Sequence, residues 1–279
     1  MNAIDARFDD LRRRGRKAFI PFVTAGDPDS DATKQFVASL VDHGADLIEV
    51  GFPYSDPIAD GAVIQASYAR ALSHGLRIDD VFACISHLAE LPNVQANRIP
   101  LIGMVSYTLV YRRGIASFVE QAQKSGLSGA IVPDLPVEES DELCRQARKR
   151  DFKIIQLVTP TTPRERARRI AQASSGFLYC VSVTGITGAR ATLPTELVEQ
   201  LAWLRQQTDL PLCVGFGISK PEHAEQLRSI ADGIIVGSAI VRLIEQAATC
   251  PVEQVAQAIG SFARSLADAL NPAVDSPAG

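Results

Sequence analysis

The chain has 279 residues, 46% hydrophobic and 22% charged, a globular composition with enough length for a sizeable core. With 28 Lys and Arg against 32 Asp and Glu, the formal net charge is -4 and the basic runs are short, Arg12–Arg13–Arg14 and the helically spaced Arg164–Arg169, which excludes a general nucleic-acid footprint. Five scattered cysteines (Cys84, Cys144, Cys180, Cys213, Cys250) lack metal-ligand or redox spacing, MNAIDARFDDLRRRG lacks a signal peptide's apolar core, and no apolar run nears the ~20 residues of a membrane span, so we expect a soluble, cytoplasmic protein without metal.

Residues Ile4 to about Arg14 read as a short amphipathic helix with Ile4, Phe8 and Leu11 on one side. A rhythm then sets in, in which each short apolar run ends in a turn and an amphipathic stretch follows. The runs are Ala18–Val23, Ala45–Val50, Ile99–Val105, Ala130–Val132, Ile154–Val158, Phe177–Val183, Leu212–Gly215 and Gly233–Val236. Behind the first comes Asp31–His43, and behind the second come Val63–Ala71 and Ile78–Leu88. Then follow Ile115–Ser125, Val137–Arg150, Arg164–Ala173, Thr195–Gln207, Pro221–Ile230 and Ala239–Ala247, with a last helix at Val252–Leu270 and a frayed tail NPAVDSPAG.

About eight strand–helix units in ~250 residues predict an α/β fold, a (β/α)8 TIM barrel with an extra N-terminal helix. The expected domain is single, 1–279, with its core at about 18–247 and a C-terminal helix to about 270. A doubly wound open sheet shares the alternation. Two features favour the barrel: no linker or composition shift divides the chain, and no glycine-rich dinucleotide fingerprint follows the first strand.

In a barrel the loops after the strands' carboxyl ends carry the chemistry, and the unusual residues fall there. In DLIEVGFPYSDPIADG, strand alternation puts Ile48 and Val50 on one face and Leu47 and Glu49 on the other. An inward Glu49 loses hydration, which raises its pKa toward the range useful to an acid/base catalyst; a structural ion pair is the competing reading. Asp60 shares that unit, although Asp before a helix also serves as turn former or N-cap. Gly215–Phe216–Gly217 and Gly237–Ser238 follow strands 7 and 8, where barrels commonly bind phosphate, although glycine also serves ordinary tight turns. The loop SVTGITGARATLP, with Gly185, Gly188 and Arg190, can close over a ligand or be surface slack. Asp134 and Glu138–Glu139 read best as acids favouring a helix start. Tyr179 reads as an inward hydrogen-bonding aromatic or plain core, and His43, His74, His87 and His223 form no ligand set.

Together these blocks resemble a known family. PFVTAGDP, LIEVGFPYSDPIADG, VPDLPVEES, TPTTPRERARRIA, GFLYCVSVTGITGAR, VGFGISKPE and GSAIVR, in this order from Ala18 to about Glu245, are similar to the alpha chain of tryptophan synthase. The resemblance implies a lyase that cleaves indole-3-glycerol phosphate to indole and glyceraldehyde 3-phosphate. It implies Glu49 as proton shuttle and Asp60 as the carboxylate on the indole N–H. Phosphate is expected on Gly188, Gly217, Gly237 and Ser238, the indole between Phe22 and Tyr179, and Thr187 beside Asp60 in the closed loop. The expected partner is a tryptophan synthase beta chain in an alpha2-beta2 tetramer. Pyridoxal phosphate is expected only in that partner, with no cofactor in this chain.

Two departures stand out: Val105–Ser106–Tyr107–Thr108–Leu109 replaces a Tyr-Asn-Pro-like segment, and Ala62 follows Asp60–Gly61 where Pro is common. The rival expectations are another phosphate-binding barrel such as an isomerase, a non-catalytic barrel subunit, and a stand-alone lyase releasing free indole.

Overall fold

The computed structural model describes residues 1–57, 60–182, 193–215 and 217–272. Its strands are β1 (Ala18–Thr24), β2 (Ile48–Gly51), β3 (Leu101–Met104), β4 (Leu127–Ile131), β5 (Lys153–Val158), β6 (Leu178–Val181), β7 (Leu212–Gly215) and β8 (Gly233–Val236). All neighbours are parallel, and β8 pairs back onto β1 to close the barrel in chain order. The helices are α1 (Ala3–Arg13), α2 (Ser30–Asp42), α3 (Ala62–Ser73), α4 (Ile78–Ala89), α5 (Pro92–Asn97), α6 (Tyr107–Arg113) and α7 (Ile115–Lys124). They continue as α8 (Asp141–Arg148), α9 (Arg164–Ala173), α10 (Thr195–Leu204), α11 (Pro221–Leu227), α12 (Ser238–Ile244) and α13 (Val252–Leu270). Among the described residues no helix is long and apolar enough to cross a membrane.

The alternation along each strand divides the apolar residues into two cores. Outward residues such as Phe19, Val23, Ile48 and Val50 pack beneath the helices, with Phe36, Leu40, Ile85 and Phe118. Inward residues such as Ile20, Phe22, Leu47, Ile102, Ile131, Ile155, Tyr179 and Ile235 fill the barrel. The expected split of the second strand therefore holds: Ile48 and Val50 meet helices, and Leu47 joins the interior.

α1 closes the amino-terminal end of the barrel. Its Ile4, Phe8 and Leu11 belong to the inner core, with Phe8 and Phe177 ring centroids 5.7 Å apart. Asn2 caps the helix by accepting from Ile4 N (2.8 Å) and donates Nδ2 to Ser128 O (3.0 Å) on β4; Lys153 on β5 pairs with Asp5 at 2.7 Å. At the other terminus, Asn271 accepts from Lys17 N (2.7 Å) and donates to Lys17 O (2.9 Å). Asn271 is thus anchored, whereas the sequence reading placed it in the frayed tail; 273–279 lie outside the described residues.

Three further differences have local causes. β2 begins at Ile48 rather than Ala45; before it, Asp46 closes on Phe19 of β1 with both backbone and side chain, its N–H donating to Phe19 O (2.9 Å) and its Oδ2 accepting from Phe19 N (3.0 Å). α5 and α6 are additional helices, started by Pro92 at the first helical position and by the Ser106 cap. The stretch expected as one helix over Val137–Arg150 is a 3-10 turn at Val137–Glu139 followed by α8, with Ser140 Oγ donating to Val137 O (2.9 Å) at the break.

Candidate active site

Glu49 enters the barrel from the middle of β2, in register with Phe22 of β1 and Ile102 of β3. It is 1% exposed, and its Oε2 has no hydrogen-bond partner among the described residues. Burial, reinforced by the negative charge of Asp60, pushes its pKa up to about 8. Among the described residues no cation satisfies it as a structural ion pair: its neighbours in register are apolar, and the charge it feels is another carboxylate's.

Asp60 sits half-buried in the loop after β2, where burial raises its pKa. Tyr54 Oη donates to Asp60 Oδ2 at 3.3 Å and works in the opposite direction, while the nearby Asp134 charge raises it further. Gln65 on α3 holds the loop, donating Nε2 to Pro57 O (3.0 Å) and to Asp60 O (2.8 Å). These two bonds hold the loop end just before Ala62, the position where the resemblance leads one to expect proline.

Between these carboxylates and the β7–β8 side lies a cavity of about 260 Å³. Phe22, Ile64, Met104, Tyr179 and Ile235 give it apolar walls. Gly217, Ser219, Gly237, Ser238 and Arg242 line its β7–β8 side. Gly217 has φ +78, a left-handed conformation that favours glycine and lets the backbone turn close to a bound group. Two other glycines make room for the aromatic walls. A Cβ on Gly51 would lie 2.5 Å from the Phe22 ring, and one on Gly215 would overlap the Tyr179 phenol. An apolar slot ending in small, donor-rich backbone suits a flat aromatic group joined to an anion. Among the described residues no group of three or more His, Cys, Asp or Glu is placed to hold a metal ion.

Of the residues singled out from sequence, Phe22, Glu49, Asp60, Tyr179, Gly217, Gly237 and Ser238 all line this one cavity. Thr187 and Gly188, with Gly185 and Arg190, lie outside the described residues. Ser219, Met104, Ile64, Ser182 and Arg242 also line it and were missed. A signal existed for two of them. Met104 lies two residues beyond the inward Ile102, and Arg242 lies one helical turn beyond Ser238 on the same face.

Comparison with known proteins settles the family. The family model "Tryptophan synthase alpha chain" matches residues 8–271. The chain belongs to the tryptophan synthase alpha chain family. It is similar to the tryptophan synthase alpha chain of Rhodopirellula baltica, 52% identical over 280 residues that cover 98% of this chain and 100% of the relative. Its fold is similar to the crystal structure of tryptophan synthase subunit alpha from Legionella pneumophila str. Paris, with a TM-score of 0.87 at 36% identity over 97% of this chain and 98% of that one. It is also similar to a chain of the tryptophan synthase a2b2 complex from Pyrococcus furiosus, with a TM-score of 0.82 at 35% identity over 90% and 98%.

The segment after β3, Val105–Leu109, has its own support. Ser106 Oγ donates to Asp134 Oδ2 at 2.7 Å, and Tyr107 N donates to Asp134 Oδ1 at 2.8 Å. Asp134 therefore holds the start of α6, across two loops, rather than the start of the helix that follows it. This corrects the reading of Asp134 as a helix-start acid for its own unit.

Proposed function

We propose that this chain cleaves indole-3-glycerol phosphate to indole and glyceraldehyde 3-phosphate, the reaction its family membership brings with it. The observation that carries the proposal is Glu49: a fully buried carboxyl group with a pKa near 8 and, among the described residues, no cation partner, sharing a cavity with Asp60. Such a group is protonated at neutral pH and still able to ionise, as a proton shuttle requires. In the proposed sequence Glu49 protonates the indole ring carbon that carries the glycerol chain. The ring becomes a cationic indolenine, and Asp60 accepts its N–H and stabilises the positive charge. The substrate hydroxyl then returns a proton to Glu49 as the carbon–carbon bond breaks. The bonding pair restores the aromatic ring and the oxygen becomes the aldehyde carbonyl. Phe22 and Tyr179 flank the ring, the phosphate rests on Gly217, Gly237 and Ser238, joined in this reading by Gly188, and Thr187 helps position Asp60.

In this reading the chain is a cytoplasmic subunit that assembles with a tryptophan synthase beta chain as an alpha2-beta2 tetramer. The beta chain holds the pyridoxal phosphate on which the indole is consumed. The similarity to a chain of the Pyrococcus furiosus a2b2 complex supports the assembly. The experiment is indole release from indole-3-glycerol phosphate by the purified chain and by Glu49→Gln, each alone and with a beta chain. The expected result is activity that rises with the partner and is lost in the variant. High activity without the partner would favour the stand-alone lyase. No indole from a folded wild-type chain under any condition would overturn the proposal.

A further inference from the structure

α3 does not lie wholly on the barrel's outer surface. Ile64 and Tyr68, one turn apart, belong to the inner core with Phe22, Leu47 and Ile102. Tyr68 is 1% exposed. A Cβ on Gly51 would lie 2.9 Å from Tyr68 Oη, so the phenol oxygen occupies the space over the bare Gly51. Gly51 is two residues beyond Glu49 on β2, on the same inward face. The phenol oxygen thus sits at the carboxyl end of the strand that carries Glu49.

The two carboxylates differ in their hydrogen bonding. Asp60 has a phenol already, Tyr54, whose ring lies 5.7 Å from that of Tyr68. Glu49 Oε2, buried, has none among the described residues. Burial first, then the charges of Asp60 and Glu49, hold the Tyr68 hydroxyl well above the ordinary phenol range, so it stays protonated and able to donate. Resting on the reading of Glu49 as proton shuttle, we infer that Tyr68 is a positioning residue whose hydroxyl donates to the Glu49 carboxylate whenever that group has released its proton. A protonated Glu49 makes little demand on such a donor; the ionised form, in a cavity with another carboxylate and, among the described residues, no cation beside it, draws the O–H in.

Tyr68→Phe keeps the ring that packs beside Phe22 and removes only the donor. The direct readout is the titration of the Glu49 carboxyl, followed by isotope-edited infrared spectroscopy and assigned with Glu49→Gln. Asp60 and Tyr179, which also face Glu49, are unchanged in the variant. Loss of a donor to the ionised form is expected to move the Glu49 midpoint upward by about one pH unit. On indole-3-glycerol phosphate, kcat should fall about tenfold, its pH profile should shift the same way, and KM should change by less than about twofold. A Glu49 midpoint that stays put or moves down overturns the inference, whatever the activity. Because the titration needs no turnover, a wild-type chain that cleaves nothing would count against the lyase reading alone.

Discussion

At the scale of single residues, the folded chain holds Glu49 in its protonated form across pH values where the unfolded chain would ionise it. Its pKa is raised from 4.5 to about 8, first by burial and then by the charge of Asp60. The folded state therefore binds one proton more than the unfolded state between those values. The associated stability is fully present below about pH 4.5 and is lost as pH rises through about 8, at roughly 1.4 kcal/mol per pH unit. Glu49→Gln should remove this dependence: thermal melts at pH 5 should nearly coincide with wild type, and at pH 8.5 the variant should melt higher. The same substitution should lower indole release by ~100-fold or more. Glu49 was legible because one charged residue in an apolar strand, counted by twos, has only one face to go to. Tyr68 was not. In a helix, a tyrosine four residues from an isoleucine reads as ordinary core, and only the closed barrel shows that this face of α3 turns into the mouth.

At the scale of elements, the eight-unit rhythm was readable because each strand is short, apolar and followed by its own amphipathic helix. Pieces that depend on distant partners were not. α6 has seven residues and owes its start to Asp134, 28 positions beyond Ser106, so no local pattern announces it. Ser106→Ala should cost about 1 kcal/mol and lower the melting temperature by about 2–4 °C. Asp134→Asn should also reduce the electrostatic pressure on Asp60, whose pKa should fall in a carboxyl titration. The phosphate-side glycines were legible as a cluster, whereas the role of Gly215 was hidden until the Tyr179 phenol was seen lying over it. Gly215→Ala should push that ring toward the cavity, raising KM for the indole-bearing substrate while a circular dichroism spectrum stays native.

At the scale of the whole molecule, α1 and the barrel it closes behave as one packed body. Phe8→Ala removes a ring shared with Phe177 and should cost about 3–5 kcal/mol in denaturant melts, while KM stays close to wild type. The first helix was legible from its stripe of Ile4, Phe8 and Leu11; that the stripe would face a barrel's end, rather than a neighbouring helix, follows from closure and from nothing local. With that stopper in place, and Ile20, Leu47, Ile102, Ile131 and Ile155 filling the interior above it, the amino-terminal end of the barrel is packed and the cavity lies toward the opposite rim. The cavity is lined by residues of the loops and helix starts after the strands, so access to it runs past that rim. A protein seated over that rim would need no hold on the chemistry to decide which product leaves first, or where it goes.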